Sequence, residues 1–254
     1  MGAEMRRFNC AALAAVAVVG FASVASAADM PVKAPIQRAP LATFYNWSGC
    51  YIGVNAGGGW ARTEFTNTAN TTAFGHLDPG ESFAYTYDGF VGGGHVGCNY
   101  QVNQWVFGIE GSFDGSSIKG DATDLAILND DVFTTKVDSL ATVTGRIGYA
   151  WNNVLLYAKG GYAGAHVQFS VSDTCCVGGS PMGAGSGTHW QSGWTIGTGL
   201  EYGLTPNWII GAEYNYIDLG TANYEVGGGA GSYAFDVKTR IQTVLGRVSY
   251  KFGP

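Results

Sequence analysis

The feature that most constrains the fold of this chain is a two-residue alternation of apolar and polar side chains at its C-terminal end. Val244, Val248 and Phe252 fall on one face of this segment, whereas Arg247 and Lys251 fall on the other. That period indicates a β-strand with one apolar face. In a soluble sandwich the apolar face would meet a core. In an outer-membrane barrel it would meet lipid, and the polar face would line a narrow lumen.

Eight such segments follow one another, and the connections between them alternate in length. The predicted strands are 50–60, 90–101, 105–114, 136–150, 154–165, 191–203, 208–217 and 235–252. The long connections are 62–87, 115–135, 166–189 and 218–234, and the short ones are 102–104, 151–153 and 204–207. An even number of strands, with long loops at one end and tight turns at the other, is typical of outer-membrane barrels.

Strand length and aromatic placement favour the membrane barrel over the sandwich. The predicted strands have about ten residues or more, enough to cross a bilayer at a tilt, whereas soluble strands average about five or six. The short-turn ends carry the aromatic residues of an interfacial girdle, namely Trp105, Tyr149, Trp151, Tyr202, Trp208, Tyr250 and Phe252. We therefore predict an all-β fold over residues 47–254. It is an eight-stranded antiparallel up-and-down transmembrane β-barrel with four long outer loops and three short periplasmic turns.

The N-terminal region indicates export. Two arginines precede an apolar run over 11–21, and a small-residue cleavage site follows at 25–27. We predict a cleaved secretory signal peptide over 1–27 and a Pro-rich periplasmic linker over 28–46. A retained anchor is the alternative, but the run is too short for a spanning helix. The formal charge of −6 and the lack of a basic run argue against nucleic-acid binding.

Ionisable side chains occupy the polar face of strands three to eight. They are Glu110, Arg146, Lys159, Glu201, Glu213 and Arg247. Counted from the short turns, they lie at similar heights, with Glu201 somewhat lower. The lumen of an eight-stranded barrel is only wide enough for side chains to fill, and buried charges there must be paired. We predict a salt-bridge layer that fills the lumen, with a gated ion path as the alternative.

Four cysteines follow the predicted cleavage site. Cys50 and Cys98 lie near the same end of the first two strands and share a face, so a cross-strand disulfide is geometrically possible in the oxidising periplasm. Two separate lipid-facing thiols are the alternative. The adjacent Cys175 and Cys176 cannot easily bridge each other, and they either cross-link or stay free.

Two further patterns are better explained without a ligand. Residues 92–97 fit G-x-G-x-x-G, but no helix follows, so we expect no dinucleotide site. The second long connection contains Asp121, Asp124, Asp130 and Asp131. These lack the EF-hand order, so a solvated acidic face is favoured over a cation site.

Three regions resemble a known family: residues 46–60 (NWSGCYIGVNAGGGW), 145–149 (GRIGY) and 250–252 (YKF). The sequence is similar to the small outer-membrane "porin family" proteins of α-proteobacteria, also called outer-membrane immunogenic proteins, within the OmpA-like transmembrane superfamily. The resemblance implies a surface-exposed barrel in the outer membrane of a Gram-negative bacterium, porin-like or antigenic and without a defined enzymatic activity. Gly253 and Pro254 depart from the family, whose members usually end on the aromatic residue.

We therefore predict a structural surface barrel that contributes to envelope integrity and surface contact, with a narrow solute channel as the alternative. A lipid-modifying esterase or acyltransferase is less favoured, because His166 and Ser170 lack an obvious acidic partner and His189 is unplaced. We expect no enzymatic activity, cofactor or metal. The expected partners are outer-membrane lipid, lipopolysaccharide and, through the C-terminal strand, the assembly machinery. The oligomeric state is left open.

Overall fold

The computed structural model is a closed antiparallel barrel of eight strands, in which each strand pairs with the next and β8 closes against β1. The structure describes residues 45–68, 78–123, 131–173, 185–228 and 231–253. The strands are β1 (Gly49–Asn67), β2 (Ser82–Val102), β3 (Trp105–Thr123), β4 (Asp131–Trp151), β5 (Val154–Asp173), β6 (Gly185–Gly203), β7 (Trp208–Gly228) and β8 (Gly231–Phe252). This architecture confirms the predicted fold class.

The apolar face of each strand points outward in the half of the barrel next to the short turns. Val54, Ile109 and Val143 are exposed, for example, and together such residues form an apolar band around the barrel. Trp105 lies opposite Tyr149 at the short-turn rim, as an interfacial aromatic girdle requires. The outward direction of the apolar face excludes the soluble sandwich. Across the part of the chain described here, no helix is long and apolar enough to span a membrane.

The strands extend well beyond their predicted ends on the side of the long connections. Most of the predicted acidic loop 115–135 is strand, because β3 continues to Thr123 and β4 begins at Asp131. The predicted long loop 218–234 is wrong: β7 and β8 continue as a hairpin whose connection is only 229–230. The other long connections are likewise shortened to 68–81, 124–130 and 174–184.

A reversal of the apolar face explains why these extensions were predicted as loops. In β1, Ile52 is apolar and exposed near the short turns, but farther along the strand Ala61 and Phe65 are buried while Arg62 is exposed. Lipid surrounds the first part, so its outer face is apolar. Water surrounds the second part, so its outer face is polar and its inner face supplies a core. Where the apolar residues move from the outward to the inward positions, the alternation is interrupted and the outward residues are polar. In the sequence such a segment resembles a loop.

The lumen is filled by two apolar clusters with a polar layer between them. The cluster near the short turns comprises Tyr45, Trp47, Val106, Ala150, Leu155, Tyr157 and Ile209. The cluster on the opposite side comprises Ala61, Tyr87, Val91, Ile118, Val137, Leu140, Ala163, Ala165, Val167, Ile217, Leu219, Ile241 and Leu245. Five members of the second cluster lie in the strand extensions, namely Ala61, Tyr87, Ile118, Val167 and Leu219, and the cluster was not predicted from the sequence.

Candidate functional site: the charged layer in the lumen

The six ionisable residues singled out in the sequence all point into the lumen, and the structure brings them together. Each is almost completely buried, with 3% to 5% of its surface exposed. They converge because strands β3 to β8 each place one inward position at a similar height. The layer therefore contains three carboxylates and three basic groups with almost no access to water.

Glu110 is the centre of the layer and contacts all three basic residues. Its Oε2 lies 3.3 Å from Arg146 Nη1, and its Oε1 lies 3.2 Å from Lys159 Nζ. Arg247 also donates to both oxygens, with Nη1 at 3.1 Å from Oε1. A carboxylate that accepts from three cations is the arrangement that offsets the cost of burying an ionised group. Glu110 therefore connects strands from opposite sides of the barrel.

The remaining carboxylates complete the network. Arg146 donates to both oxygens of Glu201, with Nη1–Oε1 at 3.2 Å and Nη2–Oε2 at 2.8 Å. Such a bidentate pair combines strength with a defined geometry. Glu213 accepts from Lys159 at 2.7 Å and also from Arg247. Every one of the six groups is thus paired with at least one group of opposite charge.

Two tyrosines belong to the layer and were missed in the sequence analysis as network members. Tyr51 donates to Glu110 Oε2 at 2.7 Å, and Tyr157 donates to Glu213 Oε2 at 2.6 Å. The Arg146 guanidinium lies 4.3 Å from the centre of the Tyr157 ring, within the range of a cation–π contact. The signal in the sequence was their inward parity, which Tyr157 shares with Lys159 on β5.

Glycines opposite these tyrosines give the rings room to cross the lumen. Tyr51 pairs with Gly97 across β1 and β2, and Tyr157 pairs with Gly199 across β5 and β6. A Cβ at Gly97 would lie 2.5 Å from the Tyr51 hydroxyl oxygen. Residues 92–97, which fit a dinucleotide-binding pattern, therefore lie within a strand whose glycines accommodate lumen side chains.

The residues just before β1 close the periplasmic mouth. Trp47 is fully buried, and its Nε1 donates to the Asn152 carbonyl at 3.0 Å. Tyr45 packs against Trp47 with ring centres 4.7 Å apart, and Lys251 lies 4.8 Å above the Tyr45 ring. Burial, with a smaller effect of the Glu201 carboxylate, raises the pKa of Tyr45 to about 12. The last residues of the predicted linker therefore pack inside the barrel.

The opposite side of the charged layer is closed by the larger apolar cluster. Between the two lies a cavity lined by residues that include Glu110, Leu140 and Leu245. Its volume is about 10 Å³, room for about one water molecule. The lumen thus contains no continuous aqueous path through the described part of the barrel.

Cys50 and Cys98 form a disulfide between directly paired positions of β1 and β2. Both residues are on the outer surface near the short-turn end. The bond encloses a sequence separation of 48 residues and ties the first hairpin together beside the seam with β8. Cys175 and Cys176 lie outside the described residues.

The other candidate site residues do not assemble. His166 Nδ1 lies 3.6 Å from Asp138 Oδ2, so the expectation that His166 has no acidic partner was wrong. Ser170 is four residues away on the same strand, about 13 Å at the usual strand rise, too far for a hydrogen bond. His189 is exposed and lies opposite the buried Val167 in the register of β5 and β6. These positions do not form a nucleophile–base–acid arrangement.

No acidic metal centre is present among the residues with described positions, since no three His, Cys, Asp or Glu side chains group suitably. Asp121 is exposed and accepts a hydrogen bond of 2.6 Å from Thr134. Asp124 and Asp130 lie outside the described residues, and Asp131 lies at the start of β4.

A closed barrel with an outward apolar band and charges buried in a filled lumen defines a small transmembrane β-barrel protein of the outer membrane. The chain belongs to the outer membrane protein β-barrel domain family, whose profile matches residues 14–252. This membership confirms the resemblance found in the sequence and the outer-membrane location.

Relatives in α-proteobacteria match most of the chain. It is 36% identical over 251 residues to the 31 kDa outer-membrane immunogenic protein of Brucella melitensis biotype 1, covering 94% of this chain and 98% of the relative. It is 32% identical over 204 residues to the 22 kDa outer membrane protein of Rhizobium leguminosarum bv. viciae, covering 79% and 77%. The Escherichia coli outer membrane protease OmpT has a similar fold, with a TM-score of 0.50 and 9% identity, covering 84% of this chain and 99% of OmpT. That likeness concerns the fold alone.

Proposed function

We propose that the protein is a structural, non-conducting barrel that contributes to envelope integrity and presents its outer strand ends for surface contact. The observation that carries this proposal is the occlusion of the lumen at three successive levels. Trp47 closes the periplasmic mouth, Glu110 and its partners fill the middle, and Ile241 lies in the apolar cluster on the far side. A solute or ion would have to disrupt all three levels to pass.

Conductance across a planar bilayer tests the closed lumen. Protein refolded into lipid, with insertion verified by its shifted mobility on an unheated gel, is expected to give no steady current above that of empty bilayers. Glu201→Gln removes one charge of the layer, and the apolar clusters should keep this variant silent too. A steady current from the wild-type protein, altered by Glu201→Gln, would instead support the narrow channel.

Loss of the protein from its own bacterium tests the role in the envelope. We expect the deletion strain to take up a large hydrophobic dye or antibiotic faster than the parent strain. A plasmid that encodes the wild-type chain should restore the barrier. Unchanged permeability, detergent sensitivity and surface binding in the deletion strain would contradict the structural role.

The outer rim supports contact with lipopolysaccharide. Arg62 lies directly opposite Arg240 across β1 and β8, beyond the exposed Trp60. Like charges directly opposite each other are destabilising, and an anionic phosphate between them would relieve the repulsion. Asp218 lies 3.6 Å from Arg240 and neutralises only part of this charge.

Arg62→Gln combined with Arg240→Gln should weaken lipopolysaccharide retention, whereas Lys119→Gln, at an exposed position, serves as a matched control. If the wild type, the double variant and Lys119→Gln retain equal amounts of lipopolysaccharide, the proposed contact at Arg62 and Arg240 is wrong.

The C-terminal strand supports recognition by the assembly machinery. Val244, Val248, Tyr250 and Phe252 present an apolar outward face along β8. Insertion in vivo should fall when Phe252 is replaced by Ser, whereas refolding into detergent in vitro should change little. If the wild type and Phe252→Ser insert equally well in cells, recognition of β8 by the assembly machinery is contradicted.

A further inference from the structure

A fourth carboxylate lies beside the charged layer, and it forms no salt bridge with any basic residue in the described part of the chain. Asp114 is on β3 and is 4% exposed. It lies two inward positions beyond Glu110 on the same strand. The layer itself is balanced, with three acids and three bases. Lys159 is the nearest base that lines the same cavity, but its ammonium is shared by Glu110 and Glu213. Lys251 contacts the Asn46 carbonyl at the periplasmic mouth and is about 13 Å farther along β8 than Arg247.

Three oxygen atoms around the cavity lack hydrogen-bond donors within the described chain. They are Asp114 Oδ1, Asn55 Oδ1 and Asn215 Oδ1, and all three residues line the cavity of about 10 Å³. Asn55 and Asn215 are each 7% exposed. Buried polar groups are almost always satisfied, so three unpartnered acceptors at one small cavity require an explanation.

Neighbouring groups determine which atoms face the cavity. Asn215 Nδ2 donates to Glu213 Oε1 at 3.0 Å and to Thr243 Oγ1 at 3.2 Å, so its oxygen cannot occupy that side. Asp114 Oδ2 accepts from Ser112 Oγ at 3.2 Å, and the Asn55 side chain also donates to the Asp114 carboxylate. Both side chains are therefore oriented by hydrogen bonds that leave one oxygen of each unused.

A glycine keeps this space open. Asn55, Gly93 and Asp114 form one row across β1, β2 and β3. A Cβ at Gly93 would lie 2.2 Å from the Phe113 carbonyl oxygen and 2.5 Å from Asp114 Oδ1, so any other residue would strain the pairing of β2 with β3 as well as displace the carboxylate. Because Gly93 has no side chain, the Asn55 amide on β1 and the Asp114 carboxylate on β3 can approach each other across β2.

From this geometry we infer that the cavity binds one small hard monovalent cation, of which Na⁺ is the representative. Carboxylate and amide oxygens are ligands that hard cations prefer, and a buried charge without a paired group is stabilised by a bound ion. One unbalanced carboxylate calls for one positive charge. Leu140 and Leu245 close the cavity on one side and the charged layer closes it on the other, so the ion is incorporated as the barrel folds.

Refolding in different salts tests the inference. The full chain is refolded from urea into detergent in NaCl or in choline chloride of equal ionic strength and equal pH, and the thermal unfolding midpoint is measured by circular dichroism. The wild-type midpoint should rise with NaCl concentration and stay unchanged in choline. Asp114→Asn should unfold at a higher temperature than the wild type in choline and show no difference between the salts. Asp121→Asn, which removes an exposed charge from the same strand, should keep the Na⁺ response.

A second variant keeps the test decisive if Asp114→Asn does not refold. Asn55→Ala retains the carboxylate but removes one oxygen, so a higher NaCl concentration should be needed for the same rise. Equal wild-type midpoints in the two salts overturn the inference. A midpoint that depends on pH but not on Na⁺ also overturns it, because a proton on Asp114 or on His95, which faces Ser112 and Ser249, would then supply the charge.

Discussion

Tyr157 crosses its cross-strand partner Gly199 to donate a 2.6 Å hydrogen bond to Glu213 on the next strand. A Cβ at position 199 would lie 2.4 Å from the tyrosine hydroxyl oxygen. The same ring lies beside Arg146, and its hydroxyl accepts a hydrogen bond of 3.0 Å from Arg247. One missing side chain on β6 therefore allows one ring on β5 to contact both sides of the charged layer.

Gly199→Ala should destabilise the barrel by about 1–3 kcal/mol, because the added methyl group displaces Tyr157 from a packed lumen. The free energy of unfolding by urea in detergent measures the effect. Gly145→Ala is the matched control, since no atom lies within 4 Å of a Cβ built there, and its change should stay within about 0.5 kcal/mol. Equal effects of the two substitutions would contradict the assigned role of Gly199.

Removing one member of the Arg146–Glu201 pair should cost more than removing both. Arg146→Met leaves Glu201 buried without a cation and should cost about 3–5 kcal/mol, whereas the combined Arg146→Met and Glu201→Gln variant should cost less. Urea unfolding midpoints of the two variants and the wild type provide the comparison. If the single and combined variants unfold at equal midpoints, the two groups do not stabilise each other as a pair.

Trp47→Ala should destabilise the protein by about 3–5 kcal/mol, because it leaves a cavity in the periplasmic mouth and removes a hydrogen bond to the Asn152 carbonyl. Trp151→Ala is the control, since Trp151 is 55% exposed on the outer face, and its loss should be below about 2 kcal/mol. Thermal unfolding in lipid bilayers measures both. A larger loss for Trp151 would show that the mouth contributes little to stability.

Reduction of the Cys50–Cys98 disulfide should lower the free energy of unfolding by about 4 kcal/mol, the chain-entropy value for a closed segment of 48 residues. The combined Cys50→Ser and Cys98→Ser variant should behave like the reduced protein. Replacement of Cys175 and Cys176 by Ser controls for the other thiols and should leave the midpoint of the oxidised protein unchanged. Alkylation of Cys50 and Cys98 without prior reduction would contradict the bond.

The membrane-crossing part of the fold could be predicted from the sequence because its signals are local. Alternation such as that of Val244 and Val248 shows which face contacts lipid, and the tight turns at 151–153 and 204–207 show where strands reverse. The strand extensions could not be recognised, because Arg62 and Glu64 are polar on the side that is apolar lower in β1. The two-residue alternation was interpreted on the assumption that lipid surrounds the whole strand. This assumption fails where the surroundings change from lipid to water.

The charged layer was likewise predictable from the sequence only in part. Parity and height along the strands were enough to select Glu110, Arg146 and Arg247 as inward-facing, because both follow from counting residues. The partners of each group were not predictable, since they depend on strand tilt and on which side chains meet across the barrel. The roles of Tyr157 and Asp114 are evident only from their contacts in the folded barrel.

The sequence by itself determined that the chain is an eight-stranded outer-membrane barrel with charged residues on its inner face, because alternation and turn spacing are properties of short segments. Only the tertiary structure decided that the lumen is closed at three levels, that Trp47 fills its mouth and that Asp114 forms no salt bridge among the residues whose positions are described. These features arise when strands far apart in the chain are brought to one axis, where the available space and the balance of charge are properties of the whole ring.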